Sequence, residues 1–241
     1  MNAVWKRVAA QAAPSCLFIS LLLVWMVPAR AQVNPDQAGA WYIYFFTKKI
    51  EGSRFGIQGD YQFRYWNMGG DLEQLLLRTG VTYKPLSADV LFTAGYAYIS
   101  NGAFGDSRET VAEHRIYQEA LLPQRLGNRF FLTHRFRYEQ RFIENQDFRT
   151  RYRYNLFVNV ALNKTKMEKK TLYLALYNEI FINGERNIGQ GRSVPYFDRN
   201  RFYTGLGYGL SNQLRLQLGW MDQTTNDWQK GQLQLSLHHN F

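Results

Sequence analysis

The chain has almost no cysteine, since Cys16 is the only one among its 241 residues. Cys16 lies in an N-terminal apolar stretch with the features of a cleaved export signal, so the mature chain is expected to have none. Such a chain excludes a disulfide framework, a thiolate metal site and a cysteine nucleophile.

Long apolar runs are also lacking after residue 31, although 46% of the residues are hydrophobic and 16% are aromatic. The mean hydropathy is negative. This excludes a helical membrane protein, because each transmembrane helix needs about 20 consecutive apolar residues. Apolar residues alternate instead with polar ones, which is typical of β-strands because successive side chains point to opposite faces.

The one long apolar run, Cys16 to Val27, follows Lys6 and Arg7 and precedes Ala29-Arg30-Ala31. This order predicts a signal peptide over residues 1–31, with cleavage after Ala31. A retained membrane anchor is the weaker alternative, since the run is shorter than the ~20 residues of a span. Residues 32–241 are then expected to form one domain.

The clearest alternation lies between Arg129 and Asn163. In its first half, Arg135, Arg137 and Arg141 share one face and aromatic or aliphatic residues the other. After a polar turn at residues 144–147 the pattern resumes, again with arginines on one face. Two such runs predict a hairpin whose strands are about twice as long as a usual globular strand.

The same pattern recurs to the last residue, in about eleven runs. It predicts an all-β fold, a transmembrane antiparallel up-and-down β-barrel. Because single-chain bacterial barrels have even strand numbers, we expect twelve strands, with a further strand in residues 31–39 or 183–198. The alternative is ten strands, if the weakly alternating run Glu113 to Leu122 does not span.

Connections of two kinds alternate along the chain. Outer-membrane barrels have short turns at the periplasmic end and long loops outside, so we expect two different ends. The short turns are at Pro85, Gly127, Lys166 and Asn212, and the longer connections are at Asn67, Gly105, Asn145, Gly191 and Thr225.

The chain ends on Phe241, preceded by leucines at alternate positions. This ending resembles the signal by which barrel proteins are recognised for assembly. With the export signal it predicts a bacterial outer-membrane location. The expected partners are membrane lipids, lipopolysaccharide and, through the C-terminal strand, the barrel assembly machinery.

Arginine dominates the polar faces of the predicted strands, in keeping with a formal net charge of +10. Acids such as Asp60, Glu113 and Glu119 are expected to pair with neighbouring arginines. The interior is then either a rigid, salt-bridged filling or an arginine-lined lumen that binds or passes anions. The predicted cluster comprises Arg64, Arg78, Arg115, Arg135, Arg137, Glu139, Arg141, Arg149, Arg151, Arg153, Glu179, Arg201 and Arg215.

The segments His134 to Phe142 (HRFRYEQRF) and Phe148 to Tyr154 (FRTRYRY) carry a family resemblance. They resemble the bacterial family known as domain of unknown function 2490, mainly from Bacteroidetes. The likeness extends from about Trp41 to Phe241. It implies an outer-membrane barrel and supplies no reaction or catalytic residue.

A lipid-modifying barrel enzyme, of the phospholipase or lipid A deacylase type, is the alternative function. Such enzymes need a serine beside a histidine base, commonly spaced as H-x-S. No histidine here is followed by serine two residues later, and only Ser236 and His238 share a strand face. We therefore expect no catalytic residues, cofactor or metal, and an exported protein is not expected to meet nucleic acid.

Overall fold

The computed structural model describes residues 37–105 and 107–241. None of these residues lies in a helix long and apolar enough to cross a membrane. The described part of the chain forms eleven strands. They are β1 (Gly39–Lys49), β2 (Phe55–Tyr65), β3 (Leu72–Tyr83), β4 (Leu91–Gly102), β5 (Thr110–Leu126), β6 (Phe130–Ile143), β7 (Arg149–Ala161), β8 (Leu172–Asn183), β9 (Phe197–Gly209), β10 (Leu214–Thr224) and β11 (Gln229–Asn240).

The strands form a closed barrel in which each one pairs antiparallel with the next. β1 and β11 close it in parallel, from Gly39 opposite Gln232 to Thr47 opposite Asn240. With an odd number of alternating strands the first and last run in the same direction, so a parallel closure is the only one available. The prediction of an all-β barrel is confirmed.

The strand number differs from the predicted twelve and from the alternative of ten. The weakly alternating run of Glu113 to Leu122 lies within β5, which has 17 residues and pairs along its length. Residues 184–196 form no strand and contribute only an isolated bridge between Asn187 and Ser193. No gap remains for a twelfth strand, because β1 pairs directly with β11.

The predicted signal peptide, residues 1–31, lies outside the described residues, and so does most of the segment 31–39 in which a further strand was expected.

The connections fall at two ends of the barrel as their alternation predicts. One end, here called the turn end, carries residues 50–54, 84–90, 127–129, 162–171 and 210–213; the other, the loop end, carries residues 66–71, 103–109, 144–148, 184–196 and 225–228. The connections of the loop end were expected to be longer than those of the turn end, but the difference is small. The long connection of residues 162–171 lies at the turn end, and the short connection of residues 225–228 lies at the loop end. Among the described connections, residues 184–196 form the longest.

Alternation sorts the side chains between the two surfaces of the barrel wall. On β6, Phe136 and Phe142 are 52% and 46% exposed, whereas Arg137 and Glu139 between them are 6% and 1% exposed. Large apolar side chains are exposed on the other strands as well, including Phe63, Tyr152 and Leu206. The described barrel therefore has an apolar outer surface and a charged interior.

Glycines on the inner face provide space for buried tyrosines. The position that a Cβ atom of Gly207 would occupy lies 2.5 Å from the Tyr173 hydroxyl, and that of Gly95 lies 2.5 Å from the Tyr117 hydroxyl. Any larger side chain at either glycine would displace the ring. The tyrosine rings thus pack against the wall at these glycines and occupy the interior beside the charged residues.

Candidate functional site in the barrel interior

The residues of the predicted charge cluster lie on the inner face of the barrel. Most are less than 9% exposed, the Arg135 side chain is 11% exposed, and Arg215 lines an interior cavity. Asp60, Glu113 and Glu119, the acids expected to accompany them, are also buried. Strand alternation and closure thus bring together charges from β2, β3 and β5 to β10.

Glu139 on β6 is the centre of this network. Its Oε2 atom lies 2.6 Å from Arg151 Nη2, and its Oε1 atom lies 2.5 Å from Arg153 Nη1. Arg115 and Arg137 approach to 3.9 and 3.8 Å. Because a buried carboxylate is stable only when it is paired and hydrogen-bonded, these four arginines account for its complete burial.

Two further glutamates each join two arginines. Glu113 accepts hydrogen bonds from Arg115 Nε at 2.5 Å and from Arg141 Nε at 2.6 Å, and both arginines also reach its second oxygen. Glu179 accepts from Arg153 Nη2 at 2.5 Å and from Arg135 Nη2 at 2.6 Å. The bidentate contacts of Glu113, in which each arginine reaches both carboxylate oxygens, are among the strongest that arginine makes.

Asp60 on β2 and Glu119 on β5 complete the pairing. Asp60 accepts from Arg78 Nε at 2.8 Å and Nη2 at 2.5 Å. Glu119 pairs with Arg137 and also accepts a hydrogen bond from Gln58 Nε2 at 2.9 Å. The bond from Gln58 on β2 to Glu119 on β5 crosses the interior, so the network links non-adjacent strands.

Two β-bulges add acids that alternation alone would place outside. In the pairing of β2 with β3, the register shifts next to Tyr65, and Glu73 is left without a partner residue on β2. In the pairing of β8 with β9, the register shifts next to Phe181, and Asp198 is left without a partner residue on β8. Glu73 is 8% exposed and accepts a hydrogen bond from Trp41 Nε1 at 2.9 Å. Asp198 Oδ2 lies 2.7 Å from Arg151 Nη1. The bulges re-aim both carboxylates inward.

Arginine nevertheless remains in excess inside the barrel. Within the described chain, no carboxylate oxygen lies within the 4.0 Å salt-bridge distance of Arg64, Arg149, Arg201 or Arg215. The Nε atom of Arg149 is buried and has no hydrogen-bond partner among the residues that the structure describes. These unneutralised guanidinium groups give the interior a positive field, which attracts anions.

Inside the described part of the barrel lie a cavity of about 240 Å³ toward the loop end and another of about 300 Å³ toward the turn end. Six side chains line both cavities and therefore lie between them. We refer to these six as the septum: Phe45, Arg78, Arg135, Phe157, Tyr177 and Gln234.

The septum is held by bonds across the barrel. Tyr177 on β8 donates a hydrogen bond to Gln234 Oε1 on β11 at 2.9 Å, although these strands are not neighbours. The Tyr177 ring contacts Phe157 with centroids 5.8 Å apart, and the Arg135 guanidinium lies 5.1 Å from the Phe157 ring centroid. Arginine and aromatic side chains together separate the two cavities.

Sequence reasoning missed the inward aromatic residues. Trp41, Phe157 and Phe181 lie on inner faces and contact arginine side chains. Their position in the alternation could have revealed them, since Phe157 shares its parity with Arg153 and Asn155. From the sequence, none of the three was assigned to a face.

Ser236 and His238 lie inside the barrel on β11. Ser236 is fully buried, and its Oγ atom accepts a hydrogen bond from Gln234 Nε2 at 3.0 Å. The His238 ring stacks on Phe45 with centroids 4.7 Å apart, and its Nε2 atom has no hydrogen-bond partner in the described chain. No group of three or more histidine, cysteine, aspartate or glutamate residues suited to a metal ion occurs in the described part.

The fold and the interior define an all-β closed barrel with an arginine-rich, salt-bridged filling. The model of the family described as "Protein of unknown function (DUF2490)" matches residues 38–234, and the chain belongs to that family. The matched region covers nearly the whole barrel, and this agrees with the resemblance carried by the β6 and β7 segments. No curated protein and no solved structure matches the chain.

Proposed function

We propose that the protein is a bacterial outer-membrane β-barrel whose interior is closed to ion flow and attracts anions. The observation that carries the proposal is the distribution of polarity across the wall. Side chains such as Phe136, Phe202 and Leu218 are about half exposed on the outside, while Arg137, Glu139 and Arg201 are buried inside.

An apolar outer surface of this extent is unfavourable in water and favourable in hydrocarbon. Hydrocarbon offers no partner for an unpaired strand edge, so a sheet that spans a membrane must close on itself. The parallel pairing of β1 with β11 meets that requirement. Placement in a membrane would therefore account both for the apolar outer surface and for the closure of the sheet.

The interior favours a filled barrel over an open pore. The septum separates the two cavities, and the Glu139 and Glu179 ion pairs occupy the space around it. An ion crossing the barrel would have to displace Tyr177 or break a buried ion pair, and breaking such pairs is costly. The excess of arginine makes anions the charged species that the interior attracts.

Phe241, which follows β11, is accessible for recognition. Phe241 is 50% exposed, and its backbone N–H group donates a hydrogen bond to the Thr47 carbonyl at 2.8 Å. Its side chain is therefore accessible at the turn end while the last strand is held in the sheet. We propose that this residue is read by the barrel assembly machinery, and that lipids and lipopolysaccharide contact the outer surface.

Membrane fractionation and planar-bilayer recording test the proposal separately. Expressed with its N-terminal segment in a Gram-negative host, the protein is expected in the outer-membrane fraction. Recovery in the soluble periplasmic fraction would overturn the membrane location. The purified protein in a planar bilayer is expected to show no conductance above the lipid baseline, and regular single-channel steps would overturn the closed interior.

The geometry does not favour the lipid-modifying enzyme. Such a reaction requires a serine nucleophile at the membrane boundary with a histidine as its base. Ser236 is buried in the interior, and its hydrogen bond in the described chain is to Gln234 rather than to a histidine. The charged interior therefore remains the candidate functional site.

A further inference from the structure

We infer that the loop-end cavity is a binding site for one small oxyanion, held between Arg64 and Arg201. The ligand chemistry is that of a phosphate or a short dicarboxylate, with at least two oxygens for guanidinium groups to bind. This inference deepens the proposed function, because it rests on the anion-attracting interior, but it does not depend on where the barrel is located.

Arg64 and Arg201 share one aromatic neighbour. The Arg64 Cζ atom lies 3.8 Å from the Trp41 ring centroid, and the Arg201 Cζ atom lies 4.7 Å from it. The two arginines come from β2 and β9, so the barrel wall brings them together from distant parts of the chain. Two like charges so close to one ring repel each other, and an anion between them would relieve that repulsion.

The hydrogen bonds of these arginines leave their charge unneutralised. Arg64 donates only to neutral amide oxygens, to Gln62 Oε1 at 2.9 Å and to Gln74 Oε1 at 2.6 Å. In the described chain, Arg201 donates one hydrogen bond, from Nε to Gln223 Oε1 at 2.7 Å. Its two terminal nitrogens remain available for a ligand.

A second observation comes from Gln223, which is fully buried and lines the same cavity. Its Oε1 atom accepts the bond from Arg201, and its Nε2 atom has no hydrogen-bond partner in the described chain. A buried donor without a partner is costly and requires an explanation. An anion bound by Arg201 would lie beside this donor and accept its hydrogen bond.

The lining of the cavity selects the ligand by charge and size. The acids that line it are Glu73 and Glu179. Glu179 is already paired with Arg135 and Arg153. Glu73 accepts a hydrogen bond from the Trp41 N–H group. The volume of about 240 Å³ is below the range of about 300–1,000 Å³ that is usual for drug-sized ligands. A small anion fits these conditions, and a cation does not.

Isothermal titration calorimetry on the full barrel, purified and folded in detergent, tests the site. The probes are inorganic phosphate, succinate and a short-chain phosphatidic acid, which distinguish a free anion from a lipid phosphate. We expect wild type to bind at least one probe with one-to-one stoichiometry. Arg201→Gln and Arg64→Gln are expected to weaken that binding roughly tenfold to a hundredfold, as for the loss of a hydrogen bond to a charged group.

The matched control is Arg54→Gln, since Arg54 lies exposed in the turn before β2, at the opposite end of the barrel. It is expected to bind as wild type does. Without ligand, Arg201→Gln is expected to unfold at the same or a higher temperature, because it removes a buried charge that has no acid partner. A merely structural role for Arg201 predicts the opposite shift.

Absence of binding by wild type to all three probes would overturn the inference, and so would equal affinity of wild type and Arg201→Gln. The outcome of the titration does not depend on the results of membrane fractionation or of conductance recording. A failure of the site is therefore distinguishable from a failure of the proposed membrane barrel.

Discussion

The Oε1 atom of Glu139 lies 2.5 Å from Arg153 Nη1 in the centre of the barrel, and both residues are almost completely buried. They come from the paired strands β6 and β7 but are not directly opposite, since Glu139 faces Arg151 in the register. One carboxylate therefore holds two successive arginines of β7, and the stability of the interior depends on it.

Glu139→Gln is expected to destabilise the barrel by about 3–5 kcal/mol, because it leaves Arg151 and Arg153 with less compensating charge in a buried site. Urea unfolding of the detergent-solubilised protein, followed by tryptophan fluorescence, measures the change. Glu51→Gln, in the exposed turn after β1, is the control and is expected to unfold as wild type does. Equal midpoints for both variants would contradict a central role for Glu139.

Removal of aromatic rings from the septum is expected to connect the two cavities. In Phe157→Ala/Tyr177→Ala both rings and the bond from Tyr177 to Gln234 are lost. We expect this variant to conduct in planar bilayers, while wild type stays at the lipid baseline. Phe136→Ala, on the outer face of β6, is the control and is expected to remain silent. If the double variant shows no conductance, residues other than Phe157 and Tyr177 block the path of ions through the barrel.

A charge on the outer wall tests the membrane location. Phe136 lies near the middle of β6 and is 52% exposed. If it faces hydrocarbon, Phe136→Arg should destabilise the barrel folded in lipid vesicles by about 2–4 kcal/mol, the cost of arginine near the bilayer midplane. Leu86→Arg, in the turn between β3 and β4, should cost much less. Similar values for the two variants would contradict an outer wall in contact with lipid.

The glycines of the inner face are expected to be intolerant of side chains where a tyrosine ring covers them. Gly207→Ala should destabilise the barrel by about 1–3 kcal/mol through overpacking against Tyr173. Gly69→Ala has no atom within 4 Å of the new Cβ position and should be tolerated. In a double-mutant cycle with Tyr173→Leu, the Gly207→Ala cost should fall, whereas strict additivity would show that the ring is not the cause.

Most of the fold could be predicted from the sequence, because alternation with period two depends only on local chain geometry. In β6 and β7 the polar residues occupy alternate positions. This spacing assigned Arg135, Arg137 and Arg153 to the polar faces of their strands without any knowledge of strand pairing. The prediction of twelve strands failed because the even strand numbers of single-chain bacterial barrels were applied to a chain that shows eleven alternating runs. The strand number is decided by pairing, of β5 with β4 and β6 and of β1 with β11, and no local signal carries that information.

From the order of their residues alone, β6 and β7 each have one apolar and one arginine-rich face, because successive side chains point to opposite faces of a strand. Three further features are set by the tertiary fold: closure by a parallel β1–β11 pair, the septum at Tyr177, and the bulges that direct Glu73 and Asp198 inward. Each depends on registers between strands, and a register is set by pairing over the whole barrel rather than by any one segment.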